Sequence, residues 1–229
     1  MITGAAGGLG QFVTRDLAAA GMRLALVGSR LRPLKALGTE LRLAEDRWMA
    51  RAADLRKAAQ AEEAVASVAD RFGKVEILVH LVGGYHGGEP VIKTRDVEVA
   101  AMLSQHVWTT LNMVRAVVPH MTAVGWGRIV AVSSPLASAP TKNVAPYAIG
   151  KAGQEALLGT LAREVAGSGT TVNLVLVRTI DVDHQRDAEP SPKTASWTTP
   201  EELSATIRHL LSDDAAVING AKIPLFGNA

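Results

Sequence analysis

The stretch Met1-Ile-Thr-Gly-Ala-Ala-Gly-Gly-Leu-Gly10 decides how the rest of the chain is read. Its four glycines are spaced as in a turn between a strand and a helix. Glycine in such a turn permits tight bending, lets backbone approach a pyrophosphate, and aims a helix N-terminus at negative charge. A glycine-rich turn with no ligand has the same look. Only Met1, Ile2 and Thr3 precede Gly4, whereas typical strands run about 5 to 6 residues. In a doubly wound sheet this strand is central. Either the working chain starts upstream of Met1, or the sheet tolerates a truncated first strand; the upstream start is the expectation.

Working outward, Gly10 to Ala20 carries Phe12, Val13, Leu17 and Ala20 on one helical face, and Gly21 is placed to end it. Leu24 to Val27 is a short continuous apolar run, the mark of a strand covered on both faces. Helix is expected from Leu34 to Asp46, strand from Trp48 to Ala52, helix from Arg56 to Phe72 and strand from Val75 to Val82. A long helical zone, Asp96 to Val124, precedes the strand Arg128 to Ser133. Helix Tyr147 to Ala166, strand Thr171 to Val177, helix Pro200 to Leu211 and strand Lys222 to Leu225 complete the chain. This alternation predicts a single-domain α/β fold: a doubly wound, mostly parallel seven-stranded sheet flanked by helices. The irregular piece, Asp181 to Thr199, is long for a connection and reads as a flexible lid or a disordered segment.

The 229 residues fit one domain spanning the whole chain. The absence of cysteine excludes disulfides and thiolate metal ligands. A net charge of +2 with scattered basic residues argues against a nucleic-acid surface. The absence of a membrane-length apolar run and of a signal-peptide pattern makes a soluble cytoplasmic protein the expectation.

Two further features carry chemistry. Tyr147 and Lys151 in Tyr-Ala-Ile-Gly-Lys are four residues apart, so on a helix they share a face. A nearby ammonium lowers a phenol's pKa from about 10 and makes it a usable acid or base near neutral pH. By itself the pair also fits an ordinary surface contact. Ser134 ends the apolar run Ile129-Val-Ala-Val-Ser-Ser, where a hydroxyl could meet a substrate oxygen or simply serve a turn.

Together, the glycine turn, the strand-end serine and YxxxK resemble the short-chain dehydrogenase/reductase family with its Rossmann fold. The likeness covers essentially the whole chain, through Asp54-Leu55, Pro119-His-Met121, Gly127-Arg-Ile-Val130, Val172-Asn173, Pro200-Glu-Glu-Leu203 and Asn219-Gly220. It implies Tyr147 as acid/base, Ser134 orienting a carbonyl, and Lys151 binding the nicotinamide ribose while lowering the tyrosine pKa. It also implies cofactor contacts from Gly4, Gly8, Leu9, Gly10, Asp54, Leu55, Val82, Gly83, Tyr147, Lys151 and Ile180. The cofactor supplies the hydride, and assembly into a homodimer or homotetramer is the family habit.

Several positions depart from that pattern. The family's Asn-Asn-Ala-Gly reads His80-Leu-Val-Gly83 here, which loses the side-chain hydrogen bonds. The family's helix Asn falls at His106, which could relay a proton or be satisfied by a backbone carbonyl. Val177-Arg178 stands where Pro-Gly is usual, and Val182 where a Thr is usual. Val82-Gly-Gly-Tyr-His-Gly-Gly88, His106-Val-Trp-Thr109, Thr179-Ile-Asp181 and Ser196-Trp-Thr198 are similar, in patches, to the quinonoid dihydropteridine reductase branch. At the end of the second strand, Gly28 replaces the acid that would hold a ribose 2′-hydroxyl, and Ser29 and Arg30 follow. NADP(H) is therefore expected over NAD(H). Histidines 80, 86 and 106 lack a recognised metal-ligand spacing, so no metal is expected. Trp197 is a candidate lid anchor, with packing as the other role. The leading function is an NADP(H)-dependent oxidoreductase of a carbonyl/alcohol pair or activated C=N bond in a small molecule. The rival is a catalytically impaired nucleotide-binding or assembly protein that keeps the fold.

Overall fold

The computed structural model describes residues 1–226. Seven strands form one sheet in the order β3-β2-β1-β4-β5-β6-β7. They are β1 (Ile2–Thr3), β2 (Leu24–Gly28), β3 (Trp48–Ala52), β4 (Ile77–His80), β5 (Gly127–Ser133), β6 (Thr170–Leu176) and β7 (Lys222–Pro224). Every pairing is parallel. The order reverses beside β1, so a ligand crevice is expected at its carboxyl end.

Alternating side chains bury both faces of the sheet. One face carries Val27, Leu78, Ile129 and Ala131 against α3 (Ala58–Phe72), α5 (Thr109–Val124) and α6 (Ala145–Glu164). The other carries Ile2, Leu26, Val79 and Val130 against α1 (Gly8–Ala19), α2 (Leu31–Glu40) and α8 (Pro200–Leu210). The truncated first strand is real but fully integrated. Ile2 pairs with Leu26 on one side and Val79 on the other. No described helix is long and apolar enough to cross a membrane.

Most boundaries shift by one to three residues, and four segments differ more from the sequence reading. Helix α2 ends at Glu40 rather than Asp46, because Arg42 takes a φ of +51° and a short 3-10 turn, Glu45–Arg47, follows. Strand β4 is shorter than Val75 to Val82. The zone Asp96 to Val124 is helical but not uniformly α: α4 (Asp96–Met102) runs into a π turn, Leu103–Trp108, and then α5. The piece Asp181 to Thr199 is a hydrogen-bonded strap rather than a disordered segment. Ile180 bridges Thr198 at its base, and the Asp181 carboxylate accepts the backbone N–H groups of Gln185 and Arg186, each at 2.8 Å. These contacts form the short helix α7 (Gln185–Ala188). Arg186 then grips Glu202 at the start of α8 through two 2.9 Å contacts.

Candidate active site

The turn after β1 is shaped by what glycine lacks. Gly4 has a φ of +72°, and a Cβ there would lie 2.9 Å from the Leu81 carbonyl oxygen. A Cβ on Gly10 would lie 2.1 Å from the Gly4 carbonyl oxygen, so Gly10 closes the turn from beneath. Gly8 is exposed, with Val182 as its near neighbour. The N-terminus of α1, with Gly7 as its cap, carries no side-chain hydrogen bond and no acidic residue in its first turn. Such a terminus suits a phosphate group.

A cleft of about 630 Å³ opens over this turn. It brings together Gly4, Ser29, Arg30, Asp54, Leu55, Val82 and Gly83, far apart in sequence. Of the other expected cofactor contacts, Leu9 leans on the apolar core and Ile180 packs there too while bridging Thr198. Arg56, which the sequence reading passed over, also lines the cleft and pairs with Asp54 at 2.7 and 2.9 Å. Hydrogen bonding to Arg56 holds the Asp54 carboxyl below the usual range. Asn112 donates to the Leu55 carbonyl at 2.9 Å and fixes this wall from below. The volume, the glycine cradle and the free helix end fit a dinucleotide.

The chemistry-bearing residues lie beyond β4 and β5. Ser134 is buried and caps the 3-10 turn Pro135–Ala137, its Oγ accepting from the Leu136 N–H at 3.3 Å. Tyr147 and Lys151 lie one turn apart on α6. The expectation that Lys151 lowers the Tyr147 pKa is not met. Burial pushes the phenol up, Ser134 pulls against that shift, and Tyr85 adds to it. Lys151 instead donates to the Val132 carbonyl at 2.7 Å and to Gln154 Oε1 at 3.0 Å. Its own ammonium is brought down by burial to about 8. Gln154 passes the contact on to Thr110 Oγ1 at 2.9 Å, and Thr110 donates to the His106 carbonyl at 2.6 Å.

His106 lies in the π turn, fully buried. Its Nε2 meets the Gly84 carbonyl at 3.0 Å, which requires Nε2 to carry the proton. Nδ1 is then a bare acceptor, and it has no partner among the described residues. Burial, with the Lys151 charge second, brings the His106 pKa down to about 4. The imidazole meets the Tyr147 ring edge-on at 5.7 Å. π turns are concentrated at functional sites.

His80 corrects a second expectation, since its side-chain hydrogen bonds are replaced rather than lost. Nδ1 contacts Thr3 Oγ1 at 2.8 Å and Nε2 contacts Thr109 Oγ1 at 3.4 Å. Thr109 donates its proton to the Gln105 carbonyl, so it must accept from His80 Nε2, and Thr3 donates to Nδ1. Burial brings this imidazole down to about 3. His86 sits apart, paired with Glu98 at 3.2 Å. The three histidines thus have separate partners, and no group of three potential metal ligands occurs among the described residues. Arg178 lies over the Phe226 ring at 5.0 Å. Trp197 is half-buried and lends its carbonyl to Arg186 at 2.9 Å. Thr3, Thr109, Thr110 and Gln154 were invisible to sequence reasoning, because each acts through a partner that only folding supplies.

A phosphate-friendly turn at the switch point of a parallel sheet, beside buried titratable groups, defines a dinucleotide-fold oxidoreductase. Residues 1–193 match the family model described as short chain dehydrogenase, and the chain belongs to the short-chain dehydrogenase/reductase family. It is 32% identical over 248 residues to 1,6-dihydroxycyclohexa-2,4-diene-1-carboxylate dehydrogenase of Pseudomonas putida, covering 99% of this chain and 90% of that one. Among solved structures it is similar to a 3-ketoacyl-(acyl-carrier-protein) reductase from Brucella melitensis complexed with NADH. The two are 25% identical with a TM-score of 0.88, over 99% of this chain and 96% of that one. Levodione reductase is likewise 25% identical, with a TM-score of 0.87 over 99% and 95% of the two chains.

Proposed function

We propose that this oxidoreductase uses NADP(H) to interconvert a small-molecule carbonyl and its alcohol, with Tyr147 as acid/base. The observation that carries the reading is the juxtaposition of Ser134, Tyr147, Lys151 and His106 beside the cleft floored by the glycine turn. Gly4, Gly7 and the N-terminus of α1 would hold the pyrophosphate, and Asp54 and Leu55 the adenine end. Gly28 leaves no carboxylate against a 2′-phosphate, while Ser29, Arg30 and Arg56 line that end of the cleft. Asp54 is the acid that lines the same cleft, and Arg56 offsets its charge.

When bound, the reduced nicotinamide supplies the hydride. The protein's part is to orient and protonate. Ser134 donates a hydrogen bond to the substrate oxygen, and Tyr147 gives up its proton there. A phenol pushed up by burial is protonated at neutral pH and so has a proton to give. The Lys151 ammonium, steadied by Val132 and Gln154, lies one helical turn behind to restore the proton. His106 Nδ1, without a partner among the described residues, is a bare acceptor near Gly83, as Lys151 is a donor there. Substrate size is set by the strap Asp181 to Thr199, whose Val182 reaches Gly8. Self-association through α5 and α6 is part of the same reading, since Leu111, Val114, Val118, Leu157 and Leu161 line an apolar groove between them.

The departures at His80-Leu-Val, His106 and Val177-Arg178 favour the rival, a binding protein that retains the fold. One experiment separates them: NADPH oxidation, followed optically, against ketones, quinones and dihydropterins. The enzyme reading expects turnover that falls about 10²- to 10⁴-fold in Tyr147→Phe with cofactor affinity unchanged. Cofactor binding without turnover on any of these substrates would favour the rival.

A further inference from the structure

The connection after β4 carries an aromatic side chain that the proposed chemistry leaves unused. Tyr85 is 64% exposed. Yet its ring lies 5.1 Å from that of Tyr147, tilted by 56°. A tyrosine that merely packs is buried, and one that merely decorates a loop has no fixed neighbour. Tyr85 is neither. The carbonyl just before it, on Gly84, is held at 3.0 Å by the fully buried His106. Three residues later, the Gly88 N–H donates to the Asn143 carbonyl at 2.7 Å, and Asn143 itself takes a φ of +66°. Between these anchors, a Cβ on Gly87 would come within 2.8 Å of both the Asn143 carbonyl oxygen and the Tyr85 hydroxyl. The loop that carries the ring is therefore held on both flanks, and the ring lies mostly exposed beside that of Tyr147.

A preorganised flat surface at that place has a consequence for selectivity. Stacking favours flat π systems beyond what apolar area alone gives, and little ordering cost remains when one partner is already held. We propose that Tyr85 is the substrate-facing wall of the site and selects carbonyl compounds whose reacting carbon lies on or beside a flat, unsaturated ring. His106 is then a positioning residue for this wall through Gly84. The proposal rests on Tyr147 as the reacting phenol.

The test uses acetophenone and cyclohexyl methyl ketone, which match in size and in the carbonyl but differ in whether the ring is flat. Each is titrated calorimetrically into the protein in saturating NADP⁺, so that binding is read without reduction. The wild type is expected to bind acetophenone about three- to tenfold more tightly. Tyr85→Phe should keep that preference, and Tyr85→Ala, a change on an exposed loop, should abolish it. Equal binding of the two ketones by the wild type, or an undiminished preference in Tyr85→Ala, would overturn the proposal. NADPH oxidation is measured in parallel. A Tyr85-dependent binding preference with neither ketone reduced would uphold the wall while counting against Tyr147 as acid/base.

Discussion

At the carboxyl ends of β1 to β3 the molecule presents glycine backbone and exposed charge, whereas at those of β4 and β5 it presents buried polar side chains, each tied to another. Gly4, Gly10 and Gly28 define the first region by leaving room. His80, His106, Lys151 and Gln154 define the second by filling it, and all are buried. A region made of backbone and space fails abruptly when a side chain intrudes. Its charged rim, being solvated, changes cheaply. A region made of interlocked polar groups fails through protonation, because each buried group has one acceptable state.

The sharpest way to break this contrast is a methyl group. Gly10→Ala places a Cβ 2.1 Å from the Gly4 carbonyl oxygen, and a loss of about 3 kcal/mol or more is expected in urea denaturation. Gly8→Ala, whose Cβ would meet only Val182 at 3.8 Å, should stay within about 0.5 kcal/mol. If the two variants lost stability alike, the first region would not be governed by space.

The next effect belongs to the second region. His80 and His106 take up protons near 3 and 4 in the folded chain, against 6.5 in the unfolded one. Between those values the unfolded chain binds more protons, so stability falls as the pH falls. About 2 kcal/mol per histidine is expected between pH 6.5 and pH 5. His80→Asn removes one of these two histidines and should flatten the slope by its share. Urea midpoints with the same pH dependence in both proteins would refute the assignment.

The smallest effect is at the rim. Arg30 is exposed at the cap of α2, so Arg30→Ala should weaken NADPH binding about three- to tenfold and leave NADH nearly unchanged. Equal loss for both cofactors, or none for either, would remove Arg30 from the assignment.

Much of this was legible in the chain. Continuous apolar runs such as Leu24 to Val27 and Ile129 to Val132 announced strands covered on both faces, because period and hydrophobicity are local properties. The Tyr147–Lys151 spacing placed both residues on one helical face for the same reason. Of the two readings of Asp181 to Thr199, the disordered one fails, since the order of this strap comes from Asp181 and from Arg186 reaching Glu202 across the chain. The π turn was also hidden. An extra residue in a helical turn leaves the apolar pattern of the surrounding helix nearly intact.

The sequence by itself determined the α/β alternation, the glycine turn and the candidate catalytic residues, because these depend on residue type and spacing. The protonation of those residues was decided only by the tertiary structure. Lys151 is held by Val132 and Gln154, His80 is locked between two threonines, and the Tyr147 phenol is raised rather than lowered. The physical reason is that a pKa answers to burial and to the partner actually met, and both are properties of chain segments that only folding brings together.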